Sequence, residues 1–254
     1  MNKIFFCEGI TKNYYEIPVV KDISLELKET GFISLLGPSG AGKTTLFNVL
    51  SGVDAPDTGN VYLKNENITG KSGRVSYMLQ KDLLLEYRTL IDNVILPLLI
   101  RGEKKKQARE KALELFPMFG LSGYEKKYPY ELSGGERQRA ALLRTCMSHN
   151  QVILLDEPFS SLDAITRRKM QGWYAQIAFQ MKISTLFITH DVEEALLLSD
   201  TVYILNGKPG QITHRFDVHP PRQAEGNFSR DLKFSVSKEF GDQKRFILDA
   251  IGLT

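Results

Sequence analysis

The sequence predicts an α/β fold with a mainly parallel sheet, assembled around a phosphate-binding loop. Three observations predict it. Gly37–Thr45, GPSGAGKTT, sits between two apolar runs, Phe32–Leu36 and Leu46–Leu50. Strand, glycine loop and helix is the context such a loop needs. Val152–Leu155 and Ser184–Thr189 are further apolar runs of strand length, as expected of strands buried on both faces. The stretches Ala164–Gln180 and Val192–Ser199 have helical character and separate these strands from the next ones, and strands alternating with helices give parallel sheets.

Taken in order, Ile4–Ile10 and Ile23–Leu27 read as strands, with Tyr14-Tyr15 between them. Phe32–Leu36 is the strand that feeds the glycine loop. Gly59–Leu63 follows the turn residues Pro56, Asp57 and Gly59 and reads as a strand. Val75–Leu79 is another, ending at Gln80. From about Asp82 to Leu121 the text is mainly helical. Thr89 is placed as an N-cap. Lys104–Phe119 carries apolar residues at the helical period, and Pro117 bends or ends it. Tyr128–Glu131 is expected as a loop, and Ser133-Gly134-Gly135 opens a helix through Met147. After Val152–Leu155 come the helix Ala164–Gln180, the strand Ser184–Thr189, the helix Val192–Ser199 and the strand Thr201–Leu205. Asn206-Gly207 is a turn. Two amphipathic helices, Arg230–Phe240 and Arg245–Ile251, are expected in the tail.

The bulk numbers narrow the class. At 254 residues with 42% hydrophobic content the chain supports one large domain. A net charge of +3 is too mild to argue for nucleic acid. The run Lys104-Lys105-Lys106 reads as a solvated helix face. Cys7 and Cys146 lack ligand spacing and read as thiols of a reducing compartment. The apolar run at the N-terminus stops at Glu8, too soon for a signal peptide. Val94–Ile100 contains Pro97 and is far short of a membrane span. A cytoplasmic protein is expected, with any membrane role delegated to a partner.

The chemistry begins in the glycine loop. Gly37, Gly40 and Gly42 let the backbone turn and aim N–H groups at an anion, helped by the helix N-terminus behind them. Lys43 can reach β- and γ-phosphates, and the Thr44 hydroxyl can bind Mg²⁺. Asp156 and Glu157 end the Val152–Leu155 strand. Asp156 suits Mg²⁺, directly or through water, and Glu157 suits a general base or water-orienting group. His190, in Thr189-His190-Asp191, ends another strand and could donate to the γ-phosphate or support Glu157; a lone histidine there is also commonly structural. Leu132-Ser133-Gly134-Gly135-Glu136 places a hydroxyl and two glycines at a helix N-terminus, a second anion site. Ser133 with Glu136 is explained by a capping box alone, but the glycine pair is not. The economical reading is a loop that completes another chain's nucleotide site.

These residues carry a resemblance to the ATP-binding-cassette ATPases over essentially the whole chain. Gly37–Thr44 resembles the Walker A loop, Gln80 the Q-loop glutamine, and Leu132–Glu136 the signature. Val152–Glu157 resembles Walker B, Ser160–Asp163 the D-loop, and Thr189–Asp191 the switch histidine. All stand in the family's order. The resemblance implies a RecA-like P-loop core (1–82 and 151–219), an N-terminal antiparallel β subdomain, a helical insertion (83–150) and a short tail (220–254). It implies ATP and Mg²⁺, with ATP held by Gly37, Pro38, Ser39, Gly40, Ala41, Gly42, Lys43, Thr44 and Thr45. It implies that Ser133 and Gly135 act in trans in a head-to-tail pair of cassettes, identical or not. Thr44, Gln80 and Asp156 would serve the metal, Gln80 would sense the attacking water, and Asp163 would communicate between sites. Lys12-Asn13-Tyr14 matches the family's pattern for the aromatic residue that stacks on adenine, with Tyr15 as the alternative.

Within the family the chain is similar to nitrate/sulfonate/taurine-type importer ATPases, whose relatives also import vitamin precursors. Glu86–Leu98 resembles their W-R-T-V-x-x-N-V-x-L-P-L stretch, with Tyr87 in place of Trp. Asn206–Ile212 resembles their R-P-G-x-I segment, with Lys208 in place of Arg. The resemblance implies integral permease subunits, an indirect substrate-binding protein, and a location on the cytoplasmic face of the membrane. An exporter subunit is the alternative, followed by a cassette ATPase with no transport role. Leu83, Leu84 and Leu85 are expected to form an exposed permease-docking patch.

Overall fold

Two long strands open the chain. β1 (Lys3–Tyr14) and β2 (Ile17–Lys28) pair antiparallel. Tyr15 and Glu16 turn the corner, both with positive φ, in the two-residue turn that suits the twist of paired strands. Both strands run past the predicted limits at Ile10 and Ile23, because backbone pairing continues through the polar Lys12 and Asn13. The structure is a computed structural model that describes residues 2–218 and 232–252.

β3 (Phe32–Leu36) leaves this hairpin for a second sheet. The glycine loop turns the chain into α1 (Lys43–Leu50). β4 (Thr58–Leu63) and β5 (Glu66–Asn67) then complete the first sheet, in the order β2-β1-β4-β5. β6 (Ser76–Met78) joins the second sheet. Helices follow: α2 (Leu90–Val94), α3 (Leu96–Ile100), α4 (Lys105–Leu115), a 3₁₀ turn at Pro129–Glu131 where a loop was expected, and α5 (Gly134–Cys146). Thr89 caps α2 by accepting from the Asp92 N–H. α4 stops at Leu115, two residues before Pro117. The core then resumes with β7 (Val152–Asp156), α6 (Ala164–Gln180), β8 (Ser184–Thr189), α7 (Val192–Leu198), β9 (Thr201–Asn206) and β10 (Gln211–Asp217).

The second sheet has the order β10-β9-β3-β8-β7-β6. β9, β3, β8, β7 and β6 are parallel, and β10 returns antiparallel on the edge. Alternate residues of β3 serve opposite faces. Ile33 and Leu35 join Leu46, Phe47 and Leu50 of α1 and Phe5, Ile10 and Ile23 of the hairpin, so α1 is packed between the two sheets. Phe32 joins the core that holds α2, α4, α5 and α6, while Leu36 packs with α7. A sheet covered on both faces explains why its strands read as unbroken apolar runs.

The tail differs from expectation. α8 (Leu232–Ser235) and α9 (Lys238–Ala250) replace the two predicted helices. The break falls at Ser237, whose side chain accepts from the Phe240 N–H, and the chain stays helical through 241–244. Arg230 lies outside the described residues. Among those described, no helix is long and apolar enough to cross a membrane.

Candidate nucleotide site

Strand register brings the site together. Met78 of β6 pairs with Leu155 of β7, and Asp156 of β7 pairs with Ile188 of β8. Carrying that parallel register past the strand ends sets Gln80 opposite Glu157, and Glu157 opposite Thr189, the residue before His190. Leu36 of β3 pairs with Thr189, so the glycine loop leaves from the same edge. The crevice at the carboxyl ends of parallel strands is where α/β proteins bind ligands.

The glycine loop is held from behind. A Cβ on Gly37 would lie 2.2 Å from the Leu205 carbonyl oxygen of β9. Gly42 has φ +91° and its missing side chain leaves room for Val20. Gly210 closes the back: its N–H donates to the Val19 carbonyl, and the Lys21 N–H donates to its own. A Cβ there would lie 2.1 Å from the Ala41 carbonyl oxygen. The Asn206–Ile212 segment therefore has a physical role as the rear wall of the loop. Gly210→Ala is expected to cost about 1–3 kcal/mol through overpacking and to weaken nucleotide binding. Denaturant melts and calorimetric titration with ATP check this, and an unchanged variant would remove the wall.

Lys43 is buried and donates to the carbonyls of Gly37 (2.8 Å) and Pro38 (2.9 Å). Burial lowers its pKa, and the negative charges of Glu157 and Asp156 oppose that. The Thr44 hydroxyl donates to Asp156 Oδ2 at 3.0 Å, across 112 residues of sequence. Burial pushes the Asp156 carboxyl up, the Glu157 charge adds to this, and Thr44 and Lys43 act against it. A buried carboxylate in that state favours a nearby cation.

Glu157 sits at the centre. Gln80 Nε2 donates to its Oε2 at 3.0 Å, and His190 Nδ1 lies 3.3 Å from its Oε1. Its backbone is left-handed, φ +43°, a conformation that costs a non-glycine residue energy and clusters at functional sites. Its N–H donates to the Ile188 carbonyl, and Ser160 donates to its own carbonyl from both N–H and hydroxyl. Those bonds hold the strained turn. Asp191 caps α7 by accepting from the Glu193 and Glu194 N–H groups, which fixes the chain just after His190.

Ser133 caps α5 instead of touching this cluster. Its hydroxyl donates to Glu136 Oε2 at 2.7 Å and accepts from the Glu136 N–H, and its N–H donates to the same carboxylate. Its side chain is exposed. Gly135 has a packing reason of its own, since a Cβ there would lie 3.3 Å from Thr166 Cγ2. Asp163 caps α6 by accepting from the Ile165 and Thr166 N–H groups.

Tyr14 and Tyr15 are separated by their surroundings. Tyr14 is 40% exposed, its hydroxyl donates to Asp54 Oδ2, and Lys12 lies over its ring at 5.2 Å while also bonding Asp54. Tyr15 is 99% exposed at the hairpin tip. Sequence reasoning did not find Asp54, because nothing in its neighbourhood marks it as the anchor of a residue 40 positions away. It also overstated the leucine patch. Leu83 is 51% exposed, but Leu84 is 5% exposed and packs in the helical core, so Leu84 is not a docking residue.

The sequence profile described as ABC transporter matches residues 20–160. The formylaminopyrimidine import ATP-binding protein ThiZ of Halalkalibacterium halodurans is 42% identical over 192 residues, 76% of this chain and 75% of that protein. The taurine import ATP-binding protein TauB of Yersinia pseudotuberculosis is 35% identical over 244 residues, 96% of this chain and 95% of that one. A solved dimeric ATP-binding cassette in a post-hydrolysis state, bound to ADP and Pi, superposes with a TM-score of 0.74 at 27% identity, covering 85% of this chain and 99% of that chain.

Proposed function

The chain belongs to the ABC transporter family, and from that premise we propose that it is the ATP-hydrolysing subunit that powers a membrane importer of small molecules. One observation carries the catalytic reading: Glu157, beside the glycine loop, is gripped by Gln80 on one oxygen and approached by His190 on the other. A carboxylate so oriented is placed to align a water for in-line attack on the γ-phosphate and to take its proton. Lys43 leaves the Gly37 and Pro38 carbonyls to bind the phosphates. Gly37–Thr45 wraps them with backbone N–H groups, and His190 donates to the γ-phosphate. Tyr14, steadied by Asp54, stacks on adenine.

The donor set fits Mg²⁺. Thr44 and Asp156 offer hard oxygen ligands, and the strained charge of Asp156 is relieved by a cation. Thr44, Gln80 and Asp156 would hold the ion, which when bound would neutralise phosphate charge. Two chains pair head-to-tail, so that the exposed Ser133 and the half-buried Gly135 of one close over the phosphates held by the other, and Asp163 lies at the seam. The dimeric cassette among the solved structures supports the pairing of two cassettes. Removal of the bridging γ-phosphate loosens the pair, giving a two-state element that a partner harnesses.

The partner is an integral permease, reached from the cytoplasmic face and fed by a substrate-binding protein. Its docking surface is a groove of about 280 Å³ lined by apolar residues that include Leu79, Leu83, Leu96, Pro97 and Ile100, with Tyr87 nearby in sequence and 76% exposed. Tyr87→Glu or Leu83→Glu is expected to lower uptake by about tenfold or more while hydrolysis by the isolated chain stays within about twofold. Normal uptake would argue against this surface. The names of the relatives support two cargo classes, a sulfonate such as taurine and an aminopyrimidine such as formylaminopyrimidine. Affinity co-purification tests the whole reading. A permease recovered with a binding protein supports import; outward pumping by the recovered complex, or DNA or ribosomes in its place, sinks it.

A further inference from the structure

The loop between Gln80 and Thr89 is held in an unusual way. Leu83 is left-handed, φ +47°, with its side chain facing solvent. A leucine does not keep that conformation unless its surroundings impose it. Two arginines of α5 do so. Arg137 places its guanidinium fork on Asp82, Nε to Oδ2 at 2.9 Å and Nη2 to Oδ1 at 3.1 Å, and Nη2 also donates to Glu86 at 2.7 Å. Arg144 lies seven residues on, two turns along the same face. It donates to the backbone, Nη1 to the Leu83 carbonyl at 2.7 Å and Nη2 to the Asp82 carbonyl. Asp82 in turn accepts from the Leu84 N–H.

The far end of the loop is held by a neighbouring helix. Asn93 of α2, fully buried, accepts from the Leu85 N–H and donates to the carbonyls of Leu85, Arg88 and Thr89. α2 and α5 share one apolar core. The loop body is therefore bonded to helices, whereas Gln80 before it is bonded to Glu157, just past the end of β7. A cleft of about 590 Å³, lined by Gln80, Asp82, Arg137, Gln138 and Ser160 among others, lies where the two parts meet, and Gln138 reaches the Pro158 carbonyl.

We propose that Arg137 and Arg144 are positioning residues that clamp the loop carrying Leu83 to α5, so that a displacement at Leu83 is carried undiminished to Ser133 at the N-terminus of the same helix. The inference rests on the reading of Leu83 as a docking residue and Ser133 as a contact to the partner's nucleotide. It gives Arg144 a mechanical role. Arginine suits it because its guanidinium presents several N–H donors in one rigid plane, whereas a lysine ammonium is a point charge on a flexible stem.

Amide hydrogen exchange on the full chain tests the clamp in two arms. The parent is Glu157→Gln, so that ATP is not consumed; the variant adds Arg137→Gln and Arg144→Gln. Without nucleotide, amides of residues 81–86 are expected to exchange about tenfold faster in the variant, while amides of α5 are unchanged. General loosening would instead accelerate both. With MgATP, residues 81–86 and 133–137 of the parent are expected to change together, whereas in the variant 133–137 alone responds. Unchanged exchange over 81–86 in the variant, or a nucleotide response there that still follows 133–137, overturns the clamp. If the parent forms no dimer with MgATP, the pairing of cassettes fails and the first arm still decides the clamp. Asp82→Asn loosens the same fork from the loop side and is expected to give the same exchange pattern, so it serves if the double variant does not fold.

Discussion

Glu157→Gln is expected to bind ATP with undiminished affinity and to lose turnover by about 10²–10⁴-fold, the usual contribution of a positioned general base. The substitution keeps the shape of the side chain and leaves an oxygen for the Gln80 amide, now at 3.0 Å from Glu157. It removes the group that can take a proton from water. It also removes one of the two acids facing Lys43, so the phosphates meet less repulsion. Stalled hydrolysis with intact binding should populate the closed pair. Single-turnover assays and size-exclusion chromatography with MgATP measure both effects. Turnover at the wild-type rate would refute the base assignment, and loss of ATP binding would move Glu157 from catalysis to nucleotide holding.

Lys43→Ala is expected to weaken ATP binding by about ten- to a hundredfold, the value of a charge-assisted hydrogen bond in a partly buried site, and to lower turnover further. Lys43 offsets Asp156 and Glu157. Without it, phosphates would enter a crevice lined by two carboxylates. The fold should survive, because the ammonium contributes to the loop mainly through the Gly37 and Pro38 carbonyls, which can take water instead. Calorimetry with MgATP and a thermal melt separate these outcomes. Unaffected kinetics would remove the phosphate-binding reading of the loop.

Much of the fold was legible in the sequence, for a reason that also marks where legibility stops. β3, β7, β8 and β9 are buried on both faces, so each carries consecutive apolar residues that stand out. β10 is an edge strand in which Gln211, Thr213 and Arg215 face solvent, and its text gave no signal. The α9 helix was split in prediction because Gly241 and Asp242 weaken the pattern, while Ser237 as its cap went unread. At the site, each chemical residue stood in a recognisable motif. Their meeting did not: the Thr44–Asp156 bond is a product of strand order, as is the meeting of Gln80 with Glu157. The leucine run shows the same limit, since only backbone geometry turns Leu83 outward and Leu84 inward.

The rear wall of the glycine loop has a consequence for how the protein is born. β3 takes its place between β8 and β9, and the loop is shaped by Leu205 and Gly210. β8, β9 and Gly210 come late from the ribosome, long after Gly37–Thr45 has emerged. A nascent chain that stops short of Gly210 carries the full text of the loop without the mould that sets it. ATP recognition is thus a late event of synthesis, and the nucleotide cannot template the early half of the domain. Ribosome-stalled chains of increasing length should acquire ATP binding abruptly, once the segment through Gly210 has cleared the exit tunnel.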